Sequence, residues 1–264
     1  MRPDDVPGRS PGEHDQAAPV VVLAYSQCGV GILRQQVQSG SGVEWIDAPG
    51  LAQLCARIDG LWSRISGHPG DGRSHVGLIA VRSLLQSMLV PRLARAGRRS
   101  WWAVTAAVPV EGVEYLAELY PFARFVCLHR RCDDVVRAAL LSAPWGLGGT
   151  GQGFDAFLYE HPGNSIAAAV AYRKAHTEAA LQFEAKFWER CLRVHYEELV
   201  SDAVHTTARV MDFAVGHAER GAIGQEAAAR AEGAELPIDR IPAHLLSQVN
   251  AIMAELRYAP IVAR

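Results

Sequence analysis

The stretch Val20-Val21-Val22-Leu23-Ala24-Tyr25-Ser26-Gln27-Cys28-Gly29-Val30-Gly31-Ile32-Leu33 decides how this chain folds. Its first five residues are a continuous, largely β-branched run, the pattern of a strand buried on both faces in a parallel sheet. The run stops at Tyr25, crosses a glycine-containing turn and resumes at Ile32-Leu33-Arg34-Gln35-Gln36-Val37 as a helix start. Such a strand, loop and helix unit aims free backbone N–H groups and the positive end of the helix dipole at one point, where an anion binds. Taken locally, the same residues also suit an ordinary βα turn.

Downstream, the pattern alternates. Helical spacing of Leu, Ile, Val and Met runs over 50–66 and 75–96, with Gly67-His68-Pro69-Gly70-Asp71-Gly72 as the break between them. Trp101 to Thr105 reads as a strand, Val113 to Tyr120 as a short helix, and Arg124 to Leu128 as a further strand followed by a helix from Asp133 to Leu141. The glycine-rich segment Gly146 to Gly153 reads as a loop, either a lid or a plain linker. Then come a helix over 165–187, a strand over Leu192 to Tyr196, and helices over 203–217 and 242–256. Alternation of this kind implies parallel βαβ units, hence a single α/β domain whose sheet is flanked by helices. That domain is expected over 19–264, behind a polar, Pro- and Gly-rich arm over 1–18 that carries too few large apolar groups to order itself.

Composition narrows the function. With 264 residues and 49% hydrophobic positions the chain can bury one sizeable core, and a formal net charge of −2 argues against a nucleic-acid binder. Cys28, Cys55, Cys127, Cys132 and Cys191 are odd in number and form no CxxC pair, so neither a disulfide framework nor a zinc site is expected. No apolar leader and no run approaching about 18 apolar residues is visible, so the expectation is a cytoplasmic protein that does not enter the membrane.

The segment Tyr120-Pro121-Phe122-Ala123-Arg124-Phe125-Val126-Cys127-Leu128-His129-Arg130-Arg131-Cys132-Asp133-Asp134-Val135-Val136-Arg137 resembles the signature of the 3′-phosphoadenosine 5′-phosphosulfate (PAPS) dependent sulfotransferases, roughly F-P-x-A-[RK]-F-I-x-L-x-R-D-P-R-D-V-V-x-S. Arg193-Val194-His195-Tyr196-Glu197-Glu198-Leu199-Val200-Ser201-Asp202 is similar to the family's V-x-Y-E-D-L-V-x-D-P. The tail from Ile241-Pro242 through Val249-Asn250 to Glu255-Leu256-Arg257-Tyr258 is similar to the closing helix of bacterial members. With the first loop, these pieces span about residues 19–259 in the family's order, so the resemblance implies the sulfotransferase fold with its P-loop-like strand, loop and helix.

The resemblance also implies a site. Arg130 takes the place of the arginine that holds the 3′-phosphate of PAPS, and Ser26-Gln27-Cys28-Gly29-Val30-Gly31 that of the loop P-[RK]-[ST]-G-[ST]-[ST] around the 5′-phosphosulfate. Gln27 replaces the loop cation, and Val30 and Gly31 replace the two hydroxyl residues, leaving the backbone cradle. The family's W-x-[DE]-K-T-P aligns with Trp102 to Ala107 and keeps neither its acid nor its lysine. Ala138 stands where a serine assists the arginine, and Ser142, one turn on, faces the same way. Arg131 and Cys132 replace the family's Asp and Pro, and Arg137 reads as a solvated helix arginine.

A base for the acceptor hydroxyl is expected among His75, His129, His161 and His176, with Glu178 and Asp155 as acidic alternatives. His129 ranks first, since it precedes Arg130 at the carboxyl end of a strand, where open α/β sheets bind ligands. Three functions follow. The first is sulfuryl transfer from PAPS to a hydroxyl of a small-molecule acceptor. The second is a repurposed enzyme of the same fold that has lost PAPS chemistry and acts on a tethered or small substrate. The third is a partner subunit, homo-oligomer or scaffold, with exposed Trp62, Trp145 or Trp188 as its mark.

Overall fold

The computed structural model describes residues 20–24, 27–41, 44–47, 57, 61, 64, 83, 100–105, 110–142, 153–215 and 236–262. The arm expected over 1–18, nearly all of the helices expected over 50–66 and 75–96, the segment 146–152, His75, Trp62 and Trp145 lie outside the described residues. Five strands, β1 (Val20–Ala24), β2 (Glu44–Asp47), β3 (Ser100–Thr105), β4 (Arg124–His129) and β5 (Cys191–His195), form one sheet in the order β2-β3-β1-β4-β5. Every pairing is parallel.

The β-branched run at Val20 takes the central place because it can satisfy both neighbours and both faces at once. Val20 registers with Trp101 on β3 and Arg124 on β4, and no residue of β1 is more than 4% exposed. Eight helices follow the strands: α1 (Val30–Ser41), α2 (Val110–Leu119), α3 (Cys132–Ser142), α4 (Phe154–Glu160), α5 (Ser165–Lys186), α6 (Tyr196–Ser201), α7 (Ala203–Val215) and α8 (Ala243–Glu255). They are the helices among the described residues for which a span is defined. The sequence leads to one α/β domain with a parallel sheet between helices, and this is the architecture observed.

Helices α1 and α7 pack together, and α7 also meets β4 and β5. Between α1 and α7 the Thr207 hydroxyl donates to Gln36 Oε1 at 2.8 Å, and Gln36 Nε2 donates to the Leu199 carbonyl at 3.4 Å, so a buried amide is met on both ends. Helices α2 and α5 pair as well, with α5 lying on β4. Successive side chains of a strand point to opposite faces. Phe125, Cys127 and His129 accordingly share the α5 side, where Phe183 meets Phe125 edge to face at 4.9 Å.

Helix α5 is the longest described element, at 22 residues, and it joins two cores. Its last turns pack Ala180 and Phe183 on the sheet, while Ile166 to Tyr172 pack with α3, α4 and α8 around Val136, Phe154, Leu245, Val249 and Met253. Its start is set by Asn164, whose side-chain oxygen accepts from the Ala167 N–H at 3.0 Å, the N-cap bond that relieves one of the unpaired amides of the first turn.

The expected strand and helix positions differ from the observed ones mainly at their ends. The last strand stops at His195, because Tyr196 opens α6 and does not continue β5. Phe183 is 1% exposed at the junction of sheet and α5. Phe183→Ala is expected to destabilise the fold by about 3–5 kcal/mol, read as a lower midpoint in urea unfolding without loss of the native far-UV spectrum in the absence of urea.

Candidate functional site

The chain leaves β1 toward one edge of the sheet and leaves β4 toward the other, so the carboxyl ends of these two strands flank a topological switch point, the place where ligands bind in open α/β sheets. The turn after β1 places Gln27 at φ 66° and Gly29 at φ 98°, both in the left-handed half of backbone space. Gly29 is required twice over. Its φ disfavours any side chain, and a Cβ there would stand 2.6 Å from Cδ2 of Tyr196. The Leu33 N–H donates to the Gly29 carbonyl at 3.1 Å, which starts α1 and leaves the amides of its first turn directed at the loop.

The loop side chains are neutral for visible reasons. Val30 is turned inward and packs against the sheet core, Cys28 is fully buried, and Gln27 is exposed. At Gly31 no atom of the described residues lies within 4 Å of where a Cβ would stand.

Arg130 leaves the end of β4 and turns back to this loop. Its Nη1 donates to the Gln27 carbonyl at 2.8 Å, and its Cζ lies 4.0 Å from the centroid of the Tyr196 ring. Tyr196 is therefore clamped between Gly29 and Arg130, and a cation over an aromatic face at that distance is held by the ring's quadrupole. Arg130 is only 7% exposed, and its buried Nε has no hydrogen-bond partner among the described residues. A buried cation with a donor unmet among the described residues, fastened to the turn that opens a helix, fits an anion.

Helix α5 supplies a second guanidinium. Arg173 Nη2 donates to Cys28 Sγ at 3.3 Å and to the Arg130 carbonyl at 3.4 Å. One turn on, the His176 ring stands 4.1 Å from the Tyr172 ring centroid, and burial, reinforced by the Arg173 charge, lowers its pKa to about 4. His176 is thus a neutral imidazole at physiological pH. Nearby, burial pushes the Cys132 thiol up to about 12, keeping it protonated despite Arg173.

His129, ranked first as a base from its position, has its ring committed elsewhere. It is 1% exposed, and its Nε2 lies 2.5 Å from Oε1 of Glu184 on α5. Glu184 Oε2 accepts from Arg193 Nε at 2.7 Å, so β4, α5 and β5 are tied by one carboxylate. Burial holds the His129 pKa below its ordinary value against the pull of Glu184, whereas His129 and Arg193 hold Glu184 down against its own burial. An ionised Glu184 beside a neutral His129 puts the ring proton on Nε2 and leaves the buried Nδ1 as an acceptor without a partner among the described residues. A general base must reach the proton it removes; in this structure the ring faces the interior.

The tail closes the same end of the sheet. Tyr258 donates its hydroxyl to Glu197 Oε2 at 2.6 Å, Glu197 Oε1 accepts from the Arg131 N–H at 3.3 Å, and Arg131 Nη1 donates to the Ala259 carbonyl at 3.0 Å. Burial and the adjoining carboxylate raise the Tyr258 pKa, so the phenol stays a donor. Of the other expected residues, Arg131 and Arg137 are ion-paired, to Asp133 and Asp134. Glu178 pairs with Lys174 at 3.0 Å, Asp155 lies in the first turn of α4, and His161 ends that helix. Ser142 is the last residue of α3, and Ser26 lies outside the described residues. Trp188 is 71% exposed. Among the described residues no group of three or more His, Cys, Asp or Glu could hold a metal ion, and no helix is long and apolar enough to cross a membrane.

The structure thus brings Gln27, Cys28, Gly29 and Arg130 together and adds four residues not anticipated as a group: Arg173, Tyr196, Glu197 and Tyr258. Nothing local singled Arg173 out, since it stands beside Lys174 as an ordinary charged pair after the apolar run Ile166 to Tyr172.

The Glu184 cluster gives a pH signature. The folded pKa values of His129 and Glu184 both lie below their unfolded values, so the unfolded state binds more protons and stability is lost as pH falls. The decline is expected to begin below about pH 6.5, from His129, and to steepen below about 4.5, from Glu184. Glu184→Gln should cost about 1.5–3 kcal/mol at neutral pH and flatten the acid limb in urea unfolding measured as a function of pH.

A sequence model described as the sulfotransferase family matches residues 57–215, more than half of the chain. A search of curated proteins finds no match. Among solved structures, the sulfotransferase domain from the curacin biosynthetic pathway superimposes with a TM-score of 0.60 at 12% identity, covering 93% of this chain and 100% of that one. The sulfotransferase domain of the Synechococcus PCC 7002 olefin synthase gives 0.51 at 14% identity, covering 96% and 99%. A sulfotransferase from Alicyclobacillus acidocaldarius gives 0.51 at 13%, covering 92% and 97%. The parallel sheet, the glycine turn after its central strand and the arginine closing β4 therefore sit in a chain that belongs to the sulfotransferase family.

Proposed function

We propose that this protein transfers a sulfuryl group from PAPS to a hydroxyl of a small-molecule or carrier-tethered acceptor. Arg130 is the observation that carries the reading: a guanidinium 7% exposed, with a buried Nε that has no partner among the described residues, fastened to the turn after the central strand. In this reading Arg130 holds the 3′-phosphate, and the backbone of Gln27 to Gly31 with the α1 N-terminus receives the 5′-phosphosulfate. PAPS supplies the sulfur that an acceptor oxygen attacks, with adenosine 3′,5′-bisphosphate as the leaving group. Tyr196 keeps the Arg130 plane in place, and the tail clamp of Tyr258, Glu197 and Arg131 closes the same end of the sheet. The biosynthetic context of two of the superimposed domains supports an acceptor from a biosynthetic pathway, tethered or free.

His176 takes the part of the base in this reading. It is partly exposed, one turn from Arg173, and neutral down to about pH 4. His176→Asn should lower kcat by about 10²-fold while leaving nucleotide affinity unchanged. The acid limb of kcat/KM for the native enzyme should fall near pH 4, well below the ordinary histidine range.

A second reading is favoured by one observation, the loss of charge and hydroxyl at Gln27, Val30 and Gly31 together. A repurposed enzyme of this fold would use Arg130 for another 3′-phosphoadenosine, such as that of coenzyme A. Calorimetry with adenosine 3′,5′-bisphosphate and with coenzyme A separates the two readings. The sulfotransferase reading expects heat and a raised Tm with the bisphosphate, and Arg130→Met should weaken it by about tenfold or more. No heat and no Tm shift at saturating bisphosphate overturns it.

A further inference from the structure

We infer that Tyr258, held in the carboxyl-terminal tail, is a positioning residue for Arg130, so that the tail sets the affinity of the site for a 3′-phosphorylated nucleotide. This rests on the nucleotide reading above and adds to it a residue that acts through others.

The path from tail to arginine is short and closes on itself. Tyr196 and Glu197 are neighbours at the start of α6, and they grip the neighbours Arg130 and Arg131. The Tyr196 ring centroid lies 4.0 Å from Arg130 Cζ, and Glu197 Oε1 accepts from the Arg131 N–H at 3.3 Å. That N–H shares one peptide plane with the Arg130 carbonyl, which accepts from Arg173 Nη2 at 3.4 Å. Both polar groups of the peptide that follows Arg130 are therefore held. Glu197 is itself fixed from the tail, since Tyr258 donates its hydroxyl to Oε2 at 2.6 Å. Arg131 Nη1 donates to the Ala259 carbonyl at 3.0 Å, so β4, α6 and the tail form one ring of hydrogen bonds.

The tail is anchored on both sides of this ring. At the end of α8 the Tyr258 N–H donates to the Met253 carbonyl at 2.7 Å and the Arg257 N–H to the Ala254 carbonyl at 2.9 Å, with Arg257 at φ 61°. This is the Schellman arrangement, whose left-handed residue is usually glycine. A side chain there costs about 1–2 kcal/mol, and such a conformation persists where the surroundings over-determine it. Beyond the ring, Asn250 on α8 meets Ile261 twice, accepting from its N–H at 2.7 Å and donating to its carbonyl at 3.1 Å. Ile261 is buried in the second core. Apolar packing of the tail is thus supplied by Ile261 and by the Tyr258 ring, which meets the His195 ring at 5.0 Å. The hydroxyl serves a separate purpose: it fixes the carboxylate that holds the backbone beside Arg130.

The test uses the full chain and two probes, adenosine 3′-monophosphate and adenosine 5′-monophosphate, titrated by calorimetry. Tyr258→Phe keeps the ring and removes the hydroxyl. It is expected to weaken the 3′-monophosphate by about threefold to tenfold and to leave the 5′-monophosphate within about twofold. In an Arg130→Met background the same change should have no further effect on the 3′ ligand, because the group it positions is gone. A purely structural tyrosine would lower the Tm, weaken both ligands alike or neither, and act equally with and without Arg130. That result overturns the inference and leaves the nucleotide reading standing. Should Tyr258→Phe not fold, hydrogen exchange in the native chain decides. Coupling between two sites is reciprocal, so saturating 3′-monophosphate should slow exchange over residues 257–262 by about threefold or more while leaving α2 within about twofold. Equal slowing of both segments, or of neither, overturns it. If the native chain binds neither monophosphate, nor the bisphosphate, the nucleotide reading and this inference fall together.

Discussion

A guanidinium taken out of water needs its donors met and its charge answered, and the end of this sheet is organised around two that are buried against one turn. Arg130 reaches the Gln27 carbonyl only because the turn after β1 exposes that oxygen toward β4, which requires the left-handed φ at Gln27 and Gly29. Gly29 must be glycine because Tyr196 lies against it, and Tyr196 lies there because β5 ends at His195 and α6 begins at once. The same ring carries the Arg130 plane. One contact thus links the ends of β1, β4 and β5, and a change at any member is felt by the other two.

Below this layer, Glu184 performs a related task in the interior. It accepts from Arg193 on β5 and pairs with His129 on β4 while belonging to α5, so the helix is held at a fixed height on the sheet. That height is what brings Arg173, three turns earlier on α5, to the loop. Fixing the far end of a rigid helix positions a side chain more reliably than fixing a loop, and the edge-to-face contact of Phe183 with Phe125 adds apolar packing to the same junction.

Much of this architecture was legible in the sequence, and the gaps have physical causes. Val20 to Ala24 and Phe125 to Leu128 are continuous apolar runs, the signature of strands covered on both faces. Glu44-Trp45-Ile46-Asp47 is four residues with a charge at each end, and as an edge strand paired only with β3 it needs no such run. Helices α4 and α6 hold seven and six residues, too few for a helical period to declare itself. Arg130 was legible because the motif that singles it out is written in adjacent residues. Arg173 and Glu184 were not, since their partners stand 145, 43 and 55 residues away. His129 was placed correctly at a strand end, but strand alternation puts its side chain with Phe125 and Cys127, toward α5, and the ring goes inward while the next residue goes to the loop.

The neutral loop and the buried arginine make sense as one arrangement. A lysine or arginine on a loop is flexible and well hydrated, so ordering it on a ligand costs side-chain entropy and desolvation at the moment of binding. A guanidinium already held by the folded chain, as Arg130 is by the Gln27 carbonyl and the Tyr196 ring, has met part of both costs in folding. The turn itself offers its backbone, with the left-handed φ at Gln27 and Gly29 leading the chain into α1. Val30 and Ile32 pack against the core, and the Gln27 carbonyl accepts from Arg130. In this arrangement Gln27, Val30 and Gly31 carry no charge of their own, and the charged groups that touch the turn are Arg130 at the end of β4 and Arg173 on α5.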